Sequence, residues 1–175
     1  MLSKYSGIVK KPDSKKTAKG EGIMRFGSLG EALNYARDKE QAACDLYTTF
    51  KTMVKNTAAK KLLEDLASQE LGHKKMIENA LASGTTMGIG GKKNIAELSF
   101  SDYMLSTNIN ADSSPQDVMT FAMKMEQAAY ELYTGLLDNY GGTELETLFT
   151  RLAREELKHK EILEEQYEKH FMQWM

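Results

Sequence analysis

The chain repeats itself at a fixed distance. Residues 36–47 read ARDKEQAACDLY, and residues 122–133 read AMKMEQAAYELY. Glu70-Leu71-Gly72-His73-Lys74 is answered by Glu156-Leu157-Lys158-His159-Lys160. Glu40 and Glu126, Glu70 and Glu156, and His73 and His159 are each separated by 86 positions. Each half therefore carries one glutamate and then a Glu-x-x-His at identical spacing. Six residues of the types that bind transition metals recur in that pattern, and the fold must accommodate two equivalent units that carry them.

The units are helical. The chain of 175 residues has only 2 prolines, and its wealth of Ala, Leu, Glu, Lys and Met favours helix. Ser28-Leu29-Gly30-Glu31 has the form of a capping box, with the hydroxyl taking a free amide and Glu31 reaching back. Behind it Leu33, Ala36, Ala43, Cys44, Tyr47, Phe50 and Val54 follow the helical period until Asn56-Thr57 interrupts. A second helix is expected from about Ala58 to Ala82, facing Leu62, Leu66, Ile77 and Leu81 inward and stopping at Ser83-Gly84. Ser114-Pro115-Gln116-Asp117 starts a third, with Ser as cap, Pro at the first helical position and Asp at the positive helix end. It ends at Gly141-Gly142. Thr143-Glu144-Leu145-Glu146 has the form of another capping box and opens a fourth helix reaching to about His170. Residues 84–114 form a long connection, with one short helical turn expected near Asp102–Leu105. Two helical hairpins joined by one long crossover describe an all-α, four-helix bundle of ferritin-like connectivity.

This bundle is expected over residues 28–175, preceded by a Lys-rich tail at 1–27 that holds Lys4, Lys10, Lys11, Lys15, Lys16 and Lys19. The tail shows no sustained period and reads as a solvated segment rather than a docking arm for an acidic partner. A net charge of −2 gives the whole molecule no strong affinity for nucleic acid or anionic membrane. Its 1 cysteine excludes an intrachain disulfide and any Cys-x-x-Cys metal module. No run approaches the roughly 20 apolar residues of a membrane span, and the N-terminus lacks an apolar signal core. The expected location is cytoplasmic.

Residues at i and i+3 share a helix face, so Glu70 with His73, and Glu156 with His159, can grip one ion together. Their depth agrees with that of the other two glutamates. Glu40 lies 16 residues before Asn56 and His73 lies 16 after Thr57. At 1.5 Å per residue both stand about 24 Å from the turn. In the second hairpin Glu126 lies 15 residues before Gly141 and His159 lies 17 after Gly142. Both Glu-x-x-His pairs also interrupt an apolar stripe, between Leu66 and Ile77 and between Leu152 and Leu163. Four carboxylates buried together would repel one another and lose hydration worth several kcal/mol per ion. Two divalent cations balance four carboxylates, and oxygen and nitrogen donors without thiolate suit iron, manganese or zinc.

Over roughly residues 29–170 the pattern resembles the ferritin-like di-iron carboxylate superfamily. Within it, the duplicated motif is most similar to the rubrerythrin-type branch. The resemblance implies two iron ions, with Glu70 and Glu156 bridging, Glu40 and Glu126 terminal, and His73 and His159 completing one metal each. It implies peroxide reduction or iron oxidation on a small oxidant, peroxide or O₂. Electrons would come from a separate donor protein, because this chain cannot supply the four cysteines of a rubredoxin module. Rubrerythrin-like sites commonly add a glutamate one turn from the third-helix ligand. Here Met123 and Ala129 stand three before and three after Glu126.

Cys44 and Tyr130 occupy equivalent repeat positions, four after Glu40 and Glu126. They read first as packing residues. As groups behind the ligands, Tyr130 would be a hydrogen-bond donor or local reductant, and Cys44 an oxidisable thiol. Tyr47 and Tyr133, seven after the same glutamates, read as core, as do Met119, Met123 and Met125. His170 reads as a surface residue. The apolar end Phe171-Met172-Gln173-Trp174-Met175 is expected to pack on the bundle or on a second subunit, and the expected assembly is a homodimer or larger homo-oligomer. The leading function is a non-haem di-iron oxidoreductase. Organic-substrate oxygenation is a second enzymatic reading, without a separate pocket signal. The non-enzymatic readings are an iron-binding protein for storage, delivery or sensing, and a bundle that keeps the metal for stability.

Overall fold

The computed structural model describes residues 26–84 and 109–169 in full, together with the backbone of 15–16, 22–24 and 95–96. Four helices carry the described fold: α1 (Leu29–Met53), α2 (Thr57–Ala82), α3 (Pro115–Tyr140) and α4 (Glu146–Tyr167). α1 packs along α2 and α3 along α4, while α2 also lies against α3 and α4. Two hairpins and one long crossover make the four-helix bundle of ferritin-like connectivity that the sequence implies.

Local chemistry sets the helix ends. Ser28 Oγ accepts the Glu31 amide at 3.1 Å, and Glu31 accepts the Gly27 amide at 2.8 Å, one residue further back than a strict capping box. Phe26, ahead of the cap, is buried against Tyr35 with ring centroids 5.3 Å apart. Asn56 caps α2 by accepting the amides of Ala58 and Ala59. Gly84, with φ of 75°, takes the left-handed turn after α2. At α3 the box is complete: Ser114 Oγ accepts the Asp117 amide, and Asp117 accepts the Ser114 amide. The α1–α2 turn is tied to the end of the crossover, because the Lys55 amide donates to Ala111 O at 3.0 Å.

The capping box expected at Thr143–Glu146 does not cap α4. Thr143 Oγ1 instead donates to Tyr140 O at 2.6 Å, closing the end of α3. Glu146 reaches past it to the Gly142 amide at 2.6 Å. The helix opens at Glu146 behind Leu145, which makes no side-chain cap. The same Oγ1 accepts the Leu145 amide at a longer 3.3 Å, ahead of the first helical residue. Gly142 has φ of 80°, and a Cβ on Gly141 would stand 2.8 Å from Leu137 O.

Among the described residues three short strands lie outside the helices: β1 (Lys15–Lys16), β2 (Gly22–Met24) and β3 (Ile95–Ala96). They form an antiparallel sheet in that order, pairing Lys15 with Ile23 and Ile23 with Ala96. β3 lies against α3. Two- and three-residue strands carry no readable alternation, so neither the segment at 1–27 nor the crossover announced them. The turn expected near Asp102–Leu105, His170 and the apolar end at 171–175 lie outside the described residues.

The core is split in two. One cluster joins the start of α1, Ile77 of α2, the second half of α3 and the start of α4, from Phe26 and Leu33 to Tyr133, Phe149 and Ala153. The other joins the end of α1, the start of α2, the start of α3 and Leu163, including Tyr47, Leu63, Leu66, Phe121 and Met125. The expected stripes are buried, with Cys44, Leu62 and Leu81 only partly so. α2 turns Leu63 rather than Leu62 fully inward. Leu63→Ala should therefore cost about 2–5 kcal/mol and Leu62→Ala clearly less. Urea unfolding of both variants checks the register.

Candidate metal centre

Between the two halves of the core, every helix turns a polar side chain inward. Glu40 comes from α1, Glu70 and His73 from α2, Glu126 from α3, and Glu156 and His159 from α4. All but His159 are buried, and Glu156 has no exposed surface. In one group Glu40, Glu70, His73 and Glu156 each bring an atom within 4.8 Å of the others'. In a second, Glu126, Glu156 and His159 do the same. All six sequence-derived candidates thus meet in one layer. Glu156 belongs to both groups and Glu70 to the first.

The two imidazoles stack, 5.5 Å apart and 14° from parallel. His73 Nδ1 lies 2.8 Å from Glu156 Oε1, 3.4 Å from Glu70 Oε2 and 3.7 Å from Glu40 Oε2. His159 Nδ1 lies 3.6 Å from Glu126 Oε2 and 3.9 Å from Glu156 Oε2. Short distances here do not mean hydrogen bonds. Among the described residues, six buried side-chain atoms lack a hydrogen-bond partner, and five belong to this layer: His73 Nδ1, His159 Nδ1, Glu126 Oε2 and both oxygens of Glu156. The sixth, Tyr140 Oη, belongs to the side chain that packs on Phe149. Leaving such atoms unsatisfied costs several kcal/mol, so a cluster of them aimed at common points fits a cationic ligand.

The outer carboxylates are held by tyrosines in a crossed arrangement. Tyr133 of α3 donates to Glu40 Oε1 of α1. Tyr47 of α1 donates to Glu126 Oε1 of α3 at 3.4 Å. Both rings are fully buried, as expected of core residues, but their hydroxyls also reach the site. The signal was present in the sequence, because Tyr47 and Tyr133 are separated by the same 86 positions. Cys44 and Tyr130, the candidates one turn closer, are half-buried. The Cys44 thiol is raised by burial and by Asp45, and neighbours Thr48 and Lys74 on the flank of the hairpin. Tyr130 packs at the edge of the core cluster around Tyr133.

Glu155, adjacent to Glu156, was not apparent from the sequence. Its Oε2 lies 3.2 Å from His73 Nε2, the nitrogen that faces away from the carboxylate layer, and its Oε1 accepts from Arg151 Nε at 2.7 Å. Burial pushes this carboxyl up, but Arg151 and His73 hold it below its usual range. On the other side His159 lines a groove of about 670 Å³ between α2 and α4, with Leu62, Leu66, Met119, Ile162 and Leu163.

Burial and the neighbouring carboxylates Glu156, Glu40 and Glu126 push Glu70 well above the usual range. Burial raises Glu156 as well; His73 opposes and Glu126 adds, leaving it well above. Burial acts upward on Glu40, yet His73, Glu70 and Tyr133 bring it below its ordinary value. Burial disfavours charge on His73, but Glu156, Glu40 and Glu70 outweigh that and raise it. Tyr47 and Tyr133 are raised by burial and by the carboxylates, so both hydroxyls stay protonated as donors.

A four-helix bundle of ferritin-like connectivity, with four glutamates and two histidines gathered at mid-height, is the arrangement of the ferritin-like carboxylate class. The family model for rubrerythrin matches residues 31–167. The chain belongs to the rubrerythrin family. Comparison with curated proteins and with solved structures returned no match. Among the described residues no helix is long and apolar enough to cross a membrane.

The shifts set the pH dependence of metal-stripped protein. Glu70 and Glu156 bind protons more tightly folded than unfolded, so their contribution is present below about pH 4.5 and is lost as pH rises through their raised values. His73 acts in the same direction above its unfolded value of 6.5. Glu40, being lowered, loses its contribution only in acid. Thermal melts of chelator-treated protein should fall from pH 6 to pH 8. A flat or rising melting temperature over that interval would contradict the assignment.

Proposed function

We propose that this protein is a non-haem di-iron oxidoreductase that reduces peroxide or O₂ with electrons from a separate donor protein. The observation that carries the reading is the set of five buried, unpartnered ligand-type atoms that converge in two groups sharing Glu156. Glu40, Glu70, His73 and Glu156 would hold one ion; Glu126, Glu156 and His159 would hold the other. Four carboxylates match the charge of two divalent cations, and the oxygen and nitrogen donor set suits iron, with manganese or zinc as competitors. When bound, the pair of ions supplies an electron reservoir and a Lewis-acidic place for a small oxidant.

The rest of the chemistry belongs to the chain. Tyr133 and Tyr47 hold Glu40 and Glu126 by one oxygen each, leaving the other oxygen free to ligate. Reduction of one peroxide to two waters consumes two electrons and two protons. The α2–α4 groove beside His159 gives the small oxidant and water a path from solvent. The packed clusters above and below keep bulk water from the carboxylates. With 1 cysteine, these 175 residues cannot themselves form a four-cysteine rubredoxin-type site.

Metal analysis after anaerobic iron loading should give about two iron per chain in the wild type and none in the Glu70→Ala, Glu156→Ala variant. Peroxide consumption by the loaded wild type should then depend on an added reductant. A protein that loads iron without turning over peroxide or O₂ would instead be the storage, delivery or sensing protein. A wild type that stays metal-free refutes both.

A further inference from the structure

The duplication that makes the site nearly two-fold fails at one place behind the ligands. In the half around His73, Glu155 stands 3.2 Å from Nε2. Its counterpart 86 positions earlier is Gln69, an exposed residue on the same groove as His159. Among the described residues, the carboxylates near His159 all face its Nδ1. Exposure follows the same division, at 3% for the His73 side chain and 16% for His159.

A histidine that donates its outer N–H to a carboxylate is fixed in one tautomer and one ring orientation, and its ligating nitrogen becomes more basic. Glu155 meets those conditions for His73. It is anchored by Arg151, it sits within hydrogen-bonding distance of Nε2, and it leaves Nδ1 turned toward Glu40, Glu70 and Glu156. A glutamine amide cannot supply the same negative charge to His159. We propose that Glu155 is a positioning residue for His73, and that the unlike pair Glu155 and Gln69 makes the two metal positions unequal. The position completed by His73 fills first and holds its ion more tightly; the position completed by His159 fills second and exchanges through the groove.

This rests on the reading of the cluster as a two-metal site, and the test separates the two. Metal-stripped full-length protein is titrated with Co²⁺ under calorimetry and visible absorption, for the wild type, Glu155→Gln and Gln69→Glu, each first shown by circular dichroism to be folded. Glu155 is a third exposed, so its isosteric change leaves the fold intact. The wild type should bind two ions in distinct steps. Glu155→Gln should weaken the first step by about 10–100-fold and shift its cobalt bands, leaving the second step in place. Gln69→Glu should tighten the second step and narrow the gap. Two indistinguishable steps in the wild type, or a Glu155→Gln titration that superimposes on it or weakens both steps equally, would overturn this inference alone. A wild type that binds no Co²⁺ would overturn the metal reading and this inference with it.

Discussion

The structure turns on burying four carboxylates at mid-height in a helical bundle. No other feature of the chain is so costly, since a buried, unpaired carboxylate is disfavoured by several kcal/mol. The rest of the fold is arranged around that layer. It divides the hydrophobic core into two clusters, so each helix spans one cluster, a polar turn and then the other. That is why Glu40, Glu70, Glu126 and Glu156 interrupt apolar stripes that otherwise run unbroken. The cost is offset locally by tyrosine hydroxyls on one oxygen each of Glu40 and Glu126, while Glu126 Oε2 and both oxygens of Glu156 have no hydrogen-bond partner. Cations of matching charge would complete the balance.

Much of this is legible in the sequence because it is written twice. Helical period, the caps at Ser28 and Ser114 and the glycine stop at Gly141-Gly142 mark the elements, and a constant offset of 86 binds six residues into one layer. The expectations that failed were local. Thr143 and Glu146 had the spacing of a cap, but the tight Gly-Gly turn left Thr143 closer to the carbonyl it had to close. Leu62 and Leu63 both lie near the stripe, and packing against the neighbouring helices rather than period chose between them. Tyr47 and Tyr133 are core, as read, but their hydroxyl donation to the site was missed because a buried ring and a buried donor look alike in sequence. Glu155 was hidden because a half-exposed glutamate on a charged helix reads as surface; only the turn of α4 brings it behind a histidine of α2.

The near two-fold layer also sits in an asymmetric setting. One imidazole is enclosed and backed by a carboxylate, and the other borders a groove lined by Leu66, Met119 and Ile162. The chemistry of a paired site depends on such differences, because two identical positions would share charge and solvent access equally. The two halves keep the same glutamates and histidines and differ in what stands behind them.

The crossed tyrosines bear on how such a site is assembled. Tyr47 serves a glutamate of the second hairpin, and Tyr133 serves one of the first. Neither hairpin can orient its own outer carboxylate. A lone hairpin of this kind would carry an unattended glutamate in its apolar face, and only a partner related by a two-fold rotation would supply the missing hydroxyl. The pairing therefore works as a check on register: if the hairpins slid by one helical turn, about 5.4 Å, both glutamates would lose their donors together.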